Sequence, residues 1–397
     1  MNSILTAGRL KLAEILKQDN PPRRYLPLLV ILQLLSWIYR AIIVLRNFFY
    51  EKNILTVEKV NTPVVSVGNL VVGGTGKTPV TKFLAEEFKE KGYQPAVICR
   101  GYGRENSEPV LVSDGEQILL NHEQAGDEAY LLASELAGIP VVVCQNKTKA
   151  ARWVDYNLNS DIILVDDGFQ HRSLARDYDL VLLDANLPFG NGYLLPRGFL
   201  REPPANLQRA DAAVITRINQ VDDRDIARIL SDVEHLASEL PKFIASYKPC
   251  YLHDYNQNEY PLNYLAGREI KAFSGIGAPD NFTNTLRALD CQVQEHISFP
   301  DHHDYTREDF VEEIDFNPRF SDLSAGAEKS EAELQIIVTT RKDFIKLNQD
   351  LANFFRSRGY KLMVLKMSLD IMSRDNQQDI IAEIIDTVGT ELEENKI

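Results

Sequence analysis

From about residue 62 the chain alternates between two kinds of stretch. Short apolar, β-branched runs occur at "PVVSVGNL" (63–70), "PAVICRGY" (95–102), "PVVVC" (140–144), "DIILVDD" (161–167), "DLVLLDA" (179–185) and "AAVITR" (212–217). Amphipathic stretches such as "PVTKFLAEEFKEKG" (79–92) and "GDEAYLLASELAG" (126–138) lie between them. Continuous apolar runs predict strands covered on both faces, and their alternation with helices predicts a mostly parallel α/β sheet flanked by helices. Beyond about residue 240 the runs thin out to "EIKAFSGIG" (269–277), "CQVQEHISF" (291–299), "LQIIVTTRKDF" (334–344) and "YKLMVLKMSL" (360–369). They predict a second, smaller α/β domain. The pattern therefore divides the chain into an N-terminal segment 1–60, a core 61–240 and a second domain 241–397 that closes over the site. The polar stretch 321–333 reads as a loop and "ELEENKI" as a solvated tail.

The N-terminal segment has a different pattern. "RRYLPLLVILQLLSWIYRAIIVLRNFFY" (23–50) is nearly all apolar, interrupted by Gln33, Arg40 and Arg46. A spanning helix wants about 20 apolar residues with few charges, and a secretory signal wants a small-residue cleavage site, which does not follow this run. Composition decides the reading. The whole chain carries a net charge of −14, yet residues 1–60 hold nine Lys/Arg against four acids. A basic, apolar helix in an acidic protein predicts a segment lying in a membrane interface, its arginines reaching anionic headgroups. The acidic remainder argues against nucleic acid as a partner. The four cysteines (Cys99, Cys144, Cys250 and Cys291) are far apart and form no metal or disulfide pattern.

Candidate chemistry begins at "SVGNLVVGGTGKTPVTKF" (66–83). A strand, a Gly-rich turn and a helix is the order of a phosphate-binding loop, but Val71 stands where the usual spacing puts the first glycine. Gly73, Gly74, Thr75 and Gly76 can turn backbone amides toward phosphate, Lys77 can reach the β- and γ-phosphates, and the Thr78 hydroxyl can bind Mg²⁺. About 90 residues later "IILVDDGFQH" (162–171) ends a strand in acids. Asp166 or Asp167 then holds Mg²⁺, directly or through water, as in P-loop NTPases. Together the two motifs predict an ATP- and Mg²⁺-using P-loop fold.

The acceptor side is spread along the chain. Asp127 opens a helix after Gly126 and reads as a general base. Tyr102 follows the second strand, with Arg100 and Arg104 beside it. Gln170 and His171 follow the acidic strand end. The loop "GNGYLLPRGFLREP" (190–203) offers Asn191, Arg197, Arg201 and Glu202 for a sugar and an anionic group. "FPDHHDY" (299–305) brings two histidines to a strand end, read as support for an acid/base group.

Taken in order, "VGNLVVGGTGKTP", "RGYGR", "GDEAYLLA", "VDDGFQHR", "LPRGFLREP", "FSGIG", "FPDHH" and "TTRKDFIKL" resemble the bacterial tetraacyldisaccharide 4′-kinases of lipid A biosynthesis, from about residue 63 to 347. The resemblance implies phosphorylation of the 4′-hydroxyl of a tetraacylated glucosamine disaccharide 1-phosphate at the cytoplasmic face of a Gram-negative inner membrane, with no obligate protein partner. It implies Asp127 as catalytic base assisted by His302, with His303 adjacent, and it maps its acidic strand-end pair to Asp166 and Asp167. The residues themselves offer Lys77 as a catalytic cation, Tyr102, Gln170, Asn191, Arg201 and Glu202 as substrate contacts, and Thr78, Asp166 and Asp167 at the metal. Where the family pattern has Thr-Glu-Lys-Asp, this chain has Thr-Thr-Arg-Lys-Asp, so Arg341 receives no role. The alternative reading is a membrane-associated P-loop ATPase of the partitioning or division-site type. Such loops carry a Lys before the first glycine, where this chain has Val72.

Overall fold

A computed structural model describes residues 15–16, 22–101, 108–277, 279–300, 303–311, 334–374 and 379–394. Tyr102, Arg104, His302, the 321–333 loop and the last three residues of the tail lie outside the described residues. The chain forms two compact units, one of 1–125, 132–246 and 371–397, the other of 126–131 and 247–370.

The first unit is built on a sheet ordered β8-β7-β6-β1-β5-β2-β4-β3. Its strands are β1 (Val64–Asn69), β2 (Pro95–Cys99), β3 (Val110–Ser113), β4 (Val141–Val143), β5 (Ile162–Asp166), β6 (Tyr178–Asp184), β7 (Ala212–Thr216) and the start of β8 (Lys242–Asp254). β1, β2, β4, β5, β6, β7 and the start of β8 pair in parallel, and β3 pairs antiparallel with β4. β1, β2, β4, β5 and β7 are buried at every position, as continuous apolar runs require when helices cover both faces. The edge strand β3 follows a run too short and polar to stand out in the sequence.

Helices start where the local chemistry predicts. Asn146 accepts the Lys149 amide at 3.1 Å and so caps Lys147–Asn157. Asp222 accepts the amides of Arg224 and Asp225, and so caps Asp223–Leu236. The C-terminal helix Ile380–Glu394 buries Ile380, Ile381, Ile384 and Val388 in the first unit.

Near the N-terminus, α1 (Leu26–Glu51) leaves most of its apolar side chains exposed, among them Ile31, Leu34, Trp37, Ile38 and Ile42. By length and composition, the helical stretch Arg23–Glu51 is apolar enough to cross a membrane. Its inward face is partly polar, with Ser36 and Asn47 buried beside Leu29 and Ile43.

The second unit carries β10 (Glu269–Ser274), β11 (Gln292–Ser298), β12 (Gln335–Thr340) and β13 (Tyr360–Ser373), in the order β11-β10-β12-β13 and parallel. The short β9 (Glu259–Tyr260) pairs antiparallel with β8. The run read as a strand to residue 344 ends earlier, because Thr340 caps a helical turn Arg341–Phe344 through the Asp343 amide. An aromatic core around Phe273, Tyr305, Phe310 and Phe355 fills this unit.

Candidate active site

The nucleotide loop leaves β1 and enters α2 (Lys77–Glu90) through Gly76, which has φ of 89°. A left-handed residue here favours glycine and starts the helix with its amides facing the loop. Pro79 lies in the first turn, where a missing N–H costs nothing. The spacing anomaly at Val71 has a physical cause. Val71 is buried and bridges Leu200, the Val72 amide donates to the Phe199 carbonyl at 2.8 Å, and the Arg201 amide donates to Leu70 at 2.7 Å. Residues 70–72 are therefore an extended pairing segment, and the glycines begin only after it. Within the loop, Asn69 Nδ2 donates to Thr75 Oγ1 at 2.8 Å, and Thr216 Oγ1 donates to the Thr75 carbonyl at 3.0 Å.

Sheet register brings the second motif to the same place. Val67 on β1 pairs with Asp166 on β5, so Asp166 ends its strand beside the start of the loop. The Thr78 hydroxyl donates to Asp166 Oδ2 at 3.1 Å, and the Thr81 hydroxyl to Oδ1 at 3.4 Å. Asp167 has φ of 56° and turns the other way. Lys77 Nζ lies 3.5 Å from its Oδ1, and Arg201 Nη1 donates to both its oxygens at 2.8 and 3.1 Å. Burial pushes the Asp167 carboxyl up, but Lys77 and Arg201 outweigh it and hold the group below its ordinary value. Gly68 permits this turn because a Cβ there would lie 2.4 Å from Phe169 Cβ.

The two acids are thus distinguished. Thr78 Oγ1 and the Asp166 carboxylate form a pair of hard oxygen donors that fits Mg²⁺, which takes few protein ligands and fills its shell with phosphate and water. Asp167 is instead held by cations. Gln170 donates to the Asn69 carbonyl at 2.8 Å and accepts from Arg201 at 3.1 Å, so it braces the same cluster. His171 is neutral: burial foremost, then the Lys147 cation, lowers its pKa to about 4.

Two expected substrate contacts are engaged inside the protein. Asn191 donates to the carbonyls of Leu16 and Arg197 at 2.9 and 3.3 Å, so it shapes its own loop. Glu202 is fully buried and accepts from Arg46 (3.1 Å), Arg209 (2.7 Å), Asn206 (2.5 Å) and Asn47 (3.4 Å). A buried carboxylate needs such donors to remain charged, and here they leave it facing inward rather than toward a sugar.

Asp127, Phe299, Pro300 and His303 belong to the second unit. Asp127 opens a helix, Asp127–Glu135, after Gly126 (φ of 85°). Lys346 Nζ, almost fully buried, lies 2.8 Å from Asp127 Oδ2 and donates to the His303 carbonyl at 3.2 Å. The His303 ring stacks on Phe299 at 4.7 Å between centroids, with Nε2 3.2 Å from Asp309. Asp343 accepts from the Gly275 amide at 3.0 Å and Tyr305 at 2.8 Å, which ties "FSGIG" to "TTRKD". Sequence reading did not single out Lys346; its only signal was its place inside the quoted "TTRKDFIKL".

The family model described as tetraacyldisaccharide-1-P 4′-kinase matches residues 28–386. A tetraacyldisaccharide 4′-kinase of Syntrophus aciditrophicus is 40% identical, covering 83% of this chain and 87% of that one. One from Halothermothrix orenii is 36% identical, covering 86% and 89%. The crystal structure of LpxK from Aquifex aeolicus in complex with ATP aligns with a TM-score of 0.69 at 30% identity, covering 92% of this chain and 99% of that one. With the match running from the apolar N-terminal helix to the C-terminal helix, the chain belongs to the tetraacyldisaccharide-1-P 4′-kinase family.

Proposed function

We propose that this protein transfers the γ-phosphoryl group of ATP to the 4′-hydroxyl of a tetraacylated glucosamine disaccharide 1-phosphate, a lipid A precursor. The family match over residues 28–386 carries the reading. The nucleotide loop with Asp166 and Asp167 supports it chemically.

Phosphoryl transfer is catalysed mainly by positioning and charge neutralisation. Lys77 and the amides of residues 73–78 bind the β- and γ-phosphates. Thr78 and Asp166 would hold Mg²⁺, which supplies further neutralisation of phosphate charge when bound. Asp167 keeps Lys77 and Arg201 extended toward the loop. Asp127 accepts the proton of the 4′-hydroxyl as its oxygen forms the new bond to phosphorus and the bond to ADP breaks. Lys346 fixes the Asp127 carboxylate in place. His302 partners Asp127; the engagement of the His303 ring with Asp309 and Phe299 favours His302 over its neighbour for this role. Tyr102 contacts the substrate sugar.

Helix α1 lies in the cytoplasmic face of the inner membrane and holds the enzyme where its lipid substrate is. Its exposed apolar side chains and the arginines beside them support an interfacial seat. The test supplies γ-labelled ATP and the acylated disaccharide 1-phosphate to purified protein. Label in the lipid is the expected outcome. ATP hydrolysis with no labelled lipid would favour a partitioning-type ATPase and overturn the kinase reading.

A further inference from the structure

The inward face of α1 is unusual for an apolar helix because hydrogen bonds hold it to the protein. Ser36 Oγ donates to the Leu194 carbonyl at 2.8 Å and accepts the Arg197 amide at 3.0 Å. Tyr39 donates to the Arg201 carbonyl at 2.9 Å. Arg46 and Asn47 reach the buried Glu202. While Arg172 Nη1 separately donates to the Asn47 carbonyl at 3.3 Å, these bonds end on residues 194–202. The same segment pairs with residues 70–72, immediately before the nucleotide loop, and its Arg201 side chain grips Asp167 and Gln170.

The contacts form one path. Helix α1 holds the chain at Arg201 and at the residue after it, through Tyr39 on the Arg201 carbonyl and Arg46 on the Glu202 carboxylate. Arg201 fixes Asp167, and Asp167 orients Lys77. Arg209, the second cation on Glu202, covers Phe169 with its guanidinium 4.3 Å from the ring centroid, two residues beyond Asp167. A guanidinium fork holds a carboxylate in register only if its own backbone is fixed. Charges buried as deeply as Glu202 are costly unless fully paired, so this anchor tolerates little displacement.

We infer that Arg46 and Glu202 are positioning residues, which hold Arg201 on Asp167 so that the seating of helix α1 sets the geometry of the nucleotide loop. The inference rests on the kinase reading above and assigns Glu202 a role other than sugar binding. It makes the interfacial helix part of the catalytic framework rather than a tether alone.

A double-substitution cycle tests it in the full-length enzyme. At saturating ATP and lipid, Arg46→Met is expected to lower kcat about tenfold, normalised to the folded fraction. In an Arg201→Ala background the same change should alter kcat by less than about twofold, because the path is already cut. Tyr39→Phe removes one hydroxyl and spares the buried charges, so it keeps the test open should Arg46→Met fail to fold. It should lower kcat about threefold alone and have little effect beside Arg201→Ala. A purely structural role would lower the folded fraction and leave normalised kcat unchanged, which would overturn the inference. Equal effects in both backgrounds would overturn it too, since the helix would then act independently of Arg201. Absence of lipid labelling in the unsubstituted enzyme would overturn the kinase reading and this inference together.

Discussion

Two charged clusters divide the chemistry of this protein, and they are built in different ways. Around the nucleotide loop, Lys77, Thr78, Asp166 and Asp167 are carried by two adjacent parallel strands and the helix that follows one of them. Sheet register alone brings Asp166 beside the loop. In the second unit, Asp127 starts a helix, Lys346 follows a single helical turn, His303 follows β11, and Asp309 lies in the short helix Glu308–Val311. No shared register aligns them; buried Lys346 joins the Asp127 carboxylate to the His303 backbone. Groups held by register are placed by backbone geometry, while groups held by an ion pair depend on each side chain.

That contrast can be broken by substitution. The largest effect is expected from Asp127→Asn, which keeps the shape and removes the proposed base. Turnover should fall by about 10²–10⁴ with little change in ATP affinity. Lys77→Met should lose about 10²–10³ and weaken ATP binding as well. Parallel rate measurements and nucleotide titrations would show whether the losses divide this way. Near-normal kcat in either folded variant would remove that residue from the mechanism.

Lys346→Met sharpens the comparison further. Lys346 Nζ lies 2.8 Å from Asp127 Oδ2, so removing the ammonium should lower kcat about tenfold while leaving KM for ATP unchanged. If the KM for ATP rose instead, the two clusters would not be functionally separate.

The smallest effect concerns stability. The folded pKa of His171 is about 4, against about 6.5 in the unfolded chain. Because the folded value is lowered, its contribution is fully present above about pH 6.5 and is lost as pH falls toward 4. Between pH 7 and 5 the loss is about 2 kcal/mol. His171→Gln should flatten the fall in Tm over that interval; an unchanged slope would assign the acid sensitivity to other groups.

β1, β2, β4, β5, β6 and β7 are legible in the chain because continuous apolar runs suit burial on both faces of a parallel sheet, whereas β3, β8 and β9 carry no comparable run. The phosphate loop is legible for a related reason: glycine, lysine and threonine must stand together in sequence to surround one phosphate. Less could be read where partners are distant. Glu202 and Asn191 look like surface polar residues of a Gly/Pro-rich loop, and only their partners show them turned inward. Lys346 looks like one more lysine after "TTRKD" until its ammonium is placed on Asp127.

Val71 sits at this boundary. The sequence by itself determined that a phosphate loop follows β1 and that its glycines begin late. Only the tertiary structure decided why: residues 70–72 are spent in pairing with 199–201, which carry Arg201 to Asp167 and lie under helix α1. Local spacing is written in the chain because neighbouring residues are bound covalently. Which distant segment completes a backbone pairing or neutralises a buried charge is settled only when folding brings the candidates together and leaves no polar group unpaired.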